Sequence, residues 1–301
     1  MAEDKEPDLF VDPRQSPPRE ATRLSPLVRR LIAPNASPFT FNGTCTYILG
    51  QGAVAVLDPG PDETSHLDAI LAAVAGETVA TIVVTHTHRD HSALAGRLKQ
   101  ATGARIVGAA PFAPKGDGTG GLDSSHDRAY APDAVLADGE RFEGAGFTLE
   151  AVATPGHCAN HLCFALGQEQ ALFSGDHVMA WSTSVIAPPD GSMGAYMASL
   201  DKVRAHGERI YWPGHGGPVT EPQRYVRALA HHRRQREVSI LTALDAGAAT
   251  IPELVARVYV GLDPKLVRAA GLSTLAHLED LAERGIVAGE EADGAARWRR
   301  L

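Results

Sequence analysis

Three histidines and one carboxylate fall within six residues of this chain: His86, His88, Asp90 and His91, inside Thr85-His86-Thr87-His88-Arg89-Asp90-His91-Ser92. Neutral imidazole and carboxylate are donors that suit a divalent ion such as zinc. His86 and His88 are two apart on an extended segment and so can point the same way. Asp90 and His91 follow the turn and point elsewhere. One short segment thus offers two ligand pairs, which suits two neighbouring metals better than one. Three more ligand-type residues share a context: His157 in Thr154-Pro155-Gly156-His157, Asp176 in Phe173-Ser174-Gly175-Asp176, and His215 in Trp212-Pro213-Gly214-His215-Gly216. Each follows a strand-like run and a small or rigid turn, whose Gly and Pro let the backbone bend tightly and hold the side chain stiffly.

The elements that must position these groups can be read from the apolar pattern. Residues 79–84 form an apolar, β-branched run that predicts a buried strand, and residues 93–99 read as the start of a helix. The histidine cluster therefore sits at the carboxyl end of a strand, where α/β sheets place their sites. Upstream, residues 44–49 and 53–57 read as paired strands joined by Gln51-Gly52. Asp58-Pro59-Gly60 closes the second, and a helix follows with Leu67, Ile70, Leu71 and Val74 on one face. Further strands are expected at 105–107, 147–153, 162–166, 171–174 and 208–212, with a helix near 194–206 carrying Met197, Leu200 and Val203 inward. Strand pairs, then helices, then strands again predict an α/β sandwich with sheets inside and helices outside, rather than a doubly wound sheet.

The remaining segments divide the chain. Residues 1–26 carry Pro7, Pro13, Pro17, Pro18 and Pro26 among charges and are expected to be an extended or disordered arm. Residues 27–220 form the catalytic domain, 221–246 a connecting helix and 247–301 a small C-terminal domain. Residues 110–130, rich in Gly, Pro and Asp, suggest a flap or substrate-facing loop. They do not make a phosphate loop, since no Gly-Lys-Ser/Thr ends the run. The charged run His231-His232-Arg233-Arg234-Gln235-Arg236 is expected to be a solvated face. In the tail, Thr250-Ile251-Pro252-Glu253 is a capping box, and Asp263-Pro264 opens a second helix that Gly271 interrupts. Leu275, Leu278 and Leu281 line a third, and residues 286–288 and 295–299 read as a hairpin. Three helices and a hairpin make a winged helix. Its segment 273–284 sets Glu279, Asp280 and Glu283 against Arg284, which favours packing or dimerisation over reading DNA.

Composition narrows the function. The 301 residues are 44% hydrophobic, enough for a sizeable core, and the formal net charge of -8 argues against holding nucleic acid by bulk positive charge. Cys45, Cys158 and Cys163 are too few for a disulfide framework, which points to a reducing, cytoplasmic setting. No apolar run approaches the ~20 residues of a membrane span. The opening Met1-Ala2-Glu3-Asp4-Lys5-Glu6 is charged rather than apolar, unlike a secretory signal.

With His-x-His-x-Asp-His followed by His, Asp and His at strand ends, residues 40–217 resemble the metallo-β-lactamase-fold hydrolases. The stretches Phe39-Thr40-Phe41-Asn42-Gly43-Thr44, Thr85 to Ser92, and Tyr211-Trp212-Pro213-Gly214-His215-Gly216-Gly217-Pro218 look most like the subgroup of the mitochondrial β-lactamase-like endoribonuclease and its bacterial relatives. The tail resembles that subgroup's winged-helix domain. The likeness implies an αββα sandwich and two divalent ions, zinc first, with manganese or iron as alternatives. It implies that His86, His88 and His157 hold one ion, that Asp90, His91 and His215 hold the other, and that Asp176 bridges them. A hydroxide between the metals would be the nucleophile, with Asp90 also orienting it. Cys158 reads as a filler beside His157, and His161 and His177 as neighbours of the ligands.

The expectation is a dinuclear metal-dependent hydrolase. The subgroup implies single-stranded RNA as substrate, and a small-molecule thioester, ester or lactone is the alternative. Two other classes compete: a mononuclear iron persulfide dioxygenase, which would need only His86, His157 and Asp176, and a non-catalytic winged-helix binding protein. The presence of His88, Asp90, His91 and His215 favours two hydrolytic metals over both. No membrane partner is expected, and a homodimer is compatible with the acidic tail helix.

Overall fold

In the computed structural model, described for residues 20–114, 122–292 and 295–301, two sheets pack face to face between helices. The chain opens with strands β1 (Thr22–Arg23), β2 (Val28–Ile32), β3 (Cys45–Leu49) and β4 (Ala53–Leu57), then helix α1 (Thr64–Ala73) and β5 (Thr78–Val84). The short helix α2 (Arg89–Ser92), helix α3 (Ala95–Thr102), β6 (Arg105–Gly108) and β7 (Ala134–Val135) complete the first sheet, ordered β1 to β7 across its width. The second sheet comprises β8 (Arg141–Gly144), β9 (Phe147–Ala153), β10 (Leu162–Leu166), β11 (Ala171–Gly175) and, after helix α4 (Met193–His206), β12 (Ile210–Pro213). β12 pairs parallel to β11, and the other neighbours in this sheet are antiparallel.

Strand periodicity sorts the side chains into layers. Tyr47, Leu49, Leu57 and Val83 of the first sheet meet Leu149, Phe164, Phe173 and Trp212 of the second in one core between the sheets. The alternate residues face outward. Ile48, Val56 and Ile82 pack with Ile70 and Leu98 of α1 and α3. Cys163, Leu172 and Tyr211 pack with Tyr196 and Leu200 of α4. At the ligand-bearing end, backbone bonds cross from sheet to sheet: Cys45 N–H donates to Gly214 O (2.7 Å) and Leu162 N–H to Thr85 O (2.8 Å). These bonds bring the strand ends of both sheets together.

The 23-residue helix α5 (Pro222–Leu244) leads to α6 (Ile251–Val258), α7 (Val267–Glu283) and the hairpin of β13 (Val287–Ala292) and β14 (Ala295–Arg300). Ile240 and Leu244 join Leu254, Leu278, Leu281 and Val287 in a separate small core. The Thr250–Glu253 capping box forms as expected. Among the described residues, no helix is long and apolar enough to cross a membrane.

Three expectations need correction, and strand β2 had not been expected. Residues 20–26 are not a free arm, because Thr22 and Arg23 pair with Arg30 and Arg29 of β2. The arm's residues 1–19 lie outside the described residues, as does the glycine run at 115–121. Strand β2 was hidden by Arg29 and Arg30, which break its apolar pattern. Arg30 is nonetheless buried and donates to Gly216 O. Gly271 does not interrupt the tail: α7 runs straight through it, and a Cβ there would touch Ile251 at 3.6 Å. That is ordinary packing distance, and the flanking good helix formers carry the helix through a single glycine that costs about 1 kcal/mol against alanine. The run 231–236 is only partly a solvated face. Arg233 is buried because it falls in phase with Val226, Leu229 and Ala230 on the inner face of α5.

Candidate metal centre

The structure brings the seven sequence-predicted ligand residues into two adjoining groups, His86, His88, His157 and Asp176 in one, and Asp90, His91 and His215 in the other. His86 and His88 leave the end of β5, Asp90 and His91 come from α2, and His157, Asp176 and His215 follow β9, β11 and β12. Glycines allow the approach. Gly175 sits at φ +49°, and a Cβ there would lie 2.6 Å from His161 Nε2. At Gly214 a Cβ would strike Asp176 Oδ1 and His91 Cε1, both at 2.6 Å.

In the first group His88 Nδ1 lies 3.1 Å from His86 Nε2 and 3.0 Å from His157 Nε2, which is 3.6 Å from Asp176 Oδ2. In the second, His91 Nε2, His215 Nε2 and Asp90 Oδ2 are 3.3–3.5 Å apart. Asp176 Oδ1 is 3.4 Å from both of these histidine nitrogens. Donors around one tetrahedral zinc, with bonds of ~2.0–2.1 Å, are separated by about 3.4 Å. Asp176 presents one oxygen to each group, and its buried Oδ1 has no hydrogen-bond partner. The donor types and spacings therefore fit two divalent ions sharing Asp176.

The far side of each ring is anchored. His86 Nδ1 meets Thr85 Oγ1 (3.0 Å), His157 Nδ1 meets Val185 O (2.7 Å), and His91 Nδ1 meets Asp58 Oδ2 (3.0 Å). Such partners set the tautomer and orient the ring. Sequence reasoning missed Asp58, whose carboxylate also accepts from the Thr85 N–H and hydroxyl, both at 2.8 Å. Its signal was present: Asp58-Pro59-Gly60 follows a buried strand, like the ligand turns. Its backbone sits at φ +49°, a left-handed conformation that Asp tolerates better than most. Thr44 was also missed as a partner of the site, and its hydroxyl donates to Asp90 Oδ2 (3.3 Å).

The two groups differ in charge. Burial, reinforced by neighbouring imidazoles, holds His86 and His88 well below the ordinary histidine range. Burial also lowers His157, against the pull of Asp176. In the other group burial would lower His91, but Asp90, Asp176 and Asp58 outweigh it and raise it well above that range. His215 is likewise pushed up to about 10, with Asp176 and Asp90 overcoming burial. Burial would raise Asp90 and Asp176, yet the facing His91 and His215 hold both carboxyls well below their usual range.

His161 supports the site through Asp176, whose backbone N–H donates to His161 Nε2 (3.1 Å). His177 stands aside: both its ring nitrogens are buried without partners, and burial lowers it to about 3. Cys158 is buried, and burial pushes its thiol well up, which suits a packing role and not a nucleophile. Above the two groups opens a cavity of about 290 Å³, walled by Phe39, Leu122, Met179, Val185, and Arg268 and Leu272 of α7. The 110–130 loop, the 181–196 segment and the winged-helix tail each contribute to this wall.

Comparison with known proteins places this geometry in context. The family described as Metallo-beta-lactamase superfamily matches residues 39–215, and the Beta-lactamase associated winged helix domain matches 250–298. The chain is 32% identical over 258 residues to an atrochrysone carboxyl ACP thioesterase from Aspergillus fumigatus, covering 80% of this chain and 76% of that protein. It is 33% identical to a Caenorhabditis elegans beta-lactamase-like protein 2 homolog, covering 88% and 87%. Among solved structures, a metallo-beta-lactamase family protein from Thermus thermophilus superposes with a TM-score of 0.76 at 26% identity, covering 93% of this chain and 100% of that one.

Proposed function

The chain belongs to the metallo-β-lactamase superfamily of metallo-hydrolases, and we propose that it is a dinuclear metal-dependent thioesterase that cleaves an acyl group from a carrier thiol. The observation that carries this reading is the identity, sustained over 80% of the chain, to a protein named as an acyl-carrier thioesterase. The cavity supports it over RNA. Its described wall offers Phe39, Leu122, Met179, Val185, Ala269 and Leu272, with Arg268 as the one Lys or Arg and Phe39 as the one Phe, Tyr or Trp. A groove for single-stranded RNA would track several phosphates with cations and offer aromatic faces to successive bases.

His86, His88 and His157 would hold one ion and Asp90, His91 and His215 the other, with Asp176 shared, and zinc is the first expectation. Ions bound there would supply Lewis acidity toward a carbonyl oxygen and bring the pKa of water to about 7. The protein's own contribution is positioning. Asp58 and the Val185 carbonyl fix His91 and His157, and Thr44 holds Asp90 in place. Asp90 remains a carboxylate at neutral pH because His91 and His215 face it. The apolar wall seats the acyl chain and excludes bulk water. The leaving thiol, with an ordinary pKa of ~8.5, departs as thiolate without a strong acid.

The test is a substrate panel on the zinc-loaded full chain: acyl thioesters, lactones and single-stranded RNA, with metal content measured in parallel. Fast thioester turnover with two metal equivalents is the expected result. RNA cleavage without thioester turnover would overturn the reading, as would one iron per chain and no zinc in the protein as purified, before zinc loading.

A further inference from the structure

Beside the metal centre lies a second chamber, of about 150 Å³. It shares Phe39, Met179, Val185 and Ala269 with the first cavity, so the two lie side by side. The 181–185 segment, α5, the turn after α6 and α7 enclose it. Two guanidiniums and an imidazole line one side of it. His232, Arg233 and Arg236 face it from α5, and no carboxylate is among its described lining residues, in a chain whose net charge is -8. The cations are held in place. Arg236 donates from Nη1 to Val258 O (2.8 Å), and its guanidinium lies 4.2 Å from the Tyr259 ring centre. Arg233, only 4% exposed, donates to Ser184 O and sits over the Tyr196 ring. Two donors here lack acceptors: Arg233 Nε and the indole Nε1 of Trp181 are both buried without hydrogen-bond partners. Folded chains rarely leave buried donors unsatisfied.

We propose that this chamber binds an anionic group, carboxylate or phosphate, carried by the same substrate whose thioester is cleaved next door. The proposal rests on the thioesterase reading. A guanidinium supplies a planar fork of donors matched to either anion. The anion can lie at the far end of the acyl group or on the carrier arm, and the two sources are separable.

The test uses the metal-loaded full chain and two pairs of probes. Glutaryl- against butyryl-N-acetylcysteamine varies charge on the acyl side, read as kcat/KM. 4′-Phosphopantetheine against pantetheine varies it on the thiol side, read as Kd by calorimetry. One pair is expected to show a preference of about tenfold for the charged probe, and that pair identifies the source. Arg236→Gln should cut the preference to about twofold or less, while Arg236→Lys, which keeps the charge but loses the planar fork, should keep only part of it. His232→Gln, expected to weaken the same preference, serves if Arg236→Gln does not fold. Equal handling of charged and neutral probes, with thioesters still hydrolysed, overturns the chamber and leaves the thioesterase. A preference unchanged in folded Arg236→Gln also overturns it. Arg236-dependent binding of 4′-phosphopantetheine with no thioester turned over overturns the thioesterase and leaves the chamber.

Discussion

The two donor groups of the metal centre share Asp176 but are built on opposite principles. The group of His86, His88 and His157 is all imidazole and kept neutral by burial. The group of Asp90, His91 and His215 sets carboxylates against imidazoles, and Asp58 backs His91 from behind. Without metal, protons on His91 and His215 offset the negative charge there, whereas the first group needs none. An ion entering the first group displaces no proton, and an ion entering the second must. If two ions bind as proposed, one group is ready for metal and in the other metal competes with protons.

The largest test of this comparison removes what the groups share. Asp176→Asn takes an anionic oxygen from both, so both metals should be lost at micromolar metal. Thioester kcat/KM should fall by more than the ~100-fold that loss of a partner behind a ligand reaches. If one equivalent stays tightly bound, the groups are more independent than a shared carboxylate implies. Asp58→Asn reaches the first group only through Thr85 and His86, and bears directly on His91 of the second group. Its metal affinity should drop by roughly 10–100-fold, while the first ion, measured by chelator competition, stays in place. Asp58 also accepts from Thr85, so a melting curve should accompany the titration.

The contrast between the groups bears on what a sequence can reveal. The seven ligand-type residues were legible because each stands just beyond an apolar strand, directly or after a tight turn, and strand period and turn chemistry are local. The sandwich was legible for the same reason. What was hidden depends on contacts between distant segments. Asp58 is 33 residues from His91 and reaches it because β4 and β5 are neighbours. Thr44 meets Asp90 across 46 residues. Arg233 reads as surface by its type, and only its phase on α5 reveals that it is buried. The second chamber forms where α5 and α7 close over the 181–185 segment, a tertiary fact that no window of sequence contains.

Proton linkage sharpens the comparison next. Titrating the metal-free protein with zinc in weak buffer near neutral pH should release protons with the second group's ion and essentially none with the first. Second-group affinity should therefore climb with pH toward about 10, where His215 titrates. Stability without metal carries both signs. His215, raised to about 10, contributes stability that is whole below ~6.5 and lost as pH rises through about 10. His66, lowered by burial to about 4, and His177, lowered to about 3, act oppositely. Below ~6.5 only the unfolded chain takes up their protons, so stability falls until those lower values are reached. Urea midpoints should peak near neutrality and drop on both sides. A midpoint flat from neutral to acid pH would show that these rings are not held neutral.

The smallest effect isolates a single hydroxyl. Thr44 is fully buried, accepts from Asn35 Nδ2 (2.9 Å) and donates to Asp90 Oδ2 (3.3 Å). Thr44→Val keeps the branched shape and removes that donor together with the acceptor for Asn35 Nδ2. The bond is long, and Asp90 still faces His91 and His215, so its carboxyl should remain ionised. What changes is how tightly the carboxylate is oriented. A hydrogen bond to a charged group is worth about 1.5–3 kcal/mol at good geometry, and at this length the lower end or less is expected. Second-group zinc affinity should fall about three- to tenfold, with the first group unmoved. A loss as large as that of Asp58→Asn would mean that Asp90 is held chiefly by Thr44. No loss at all would mean that its two imidazole neighbours suffice.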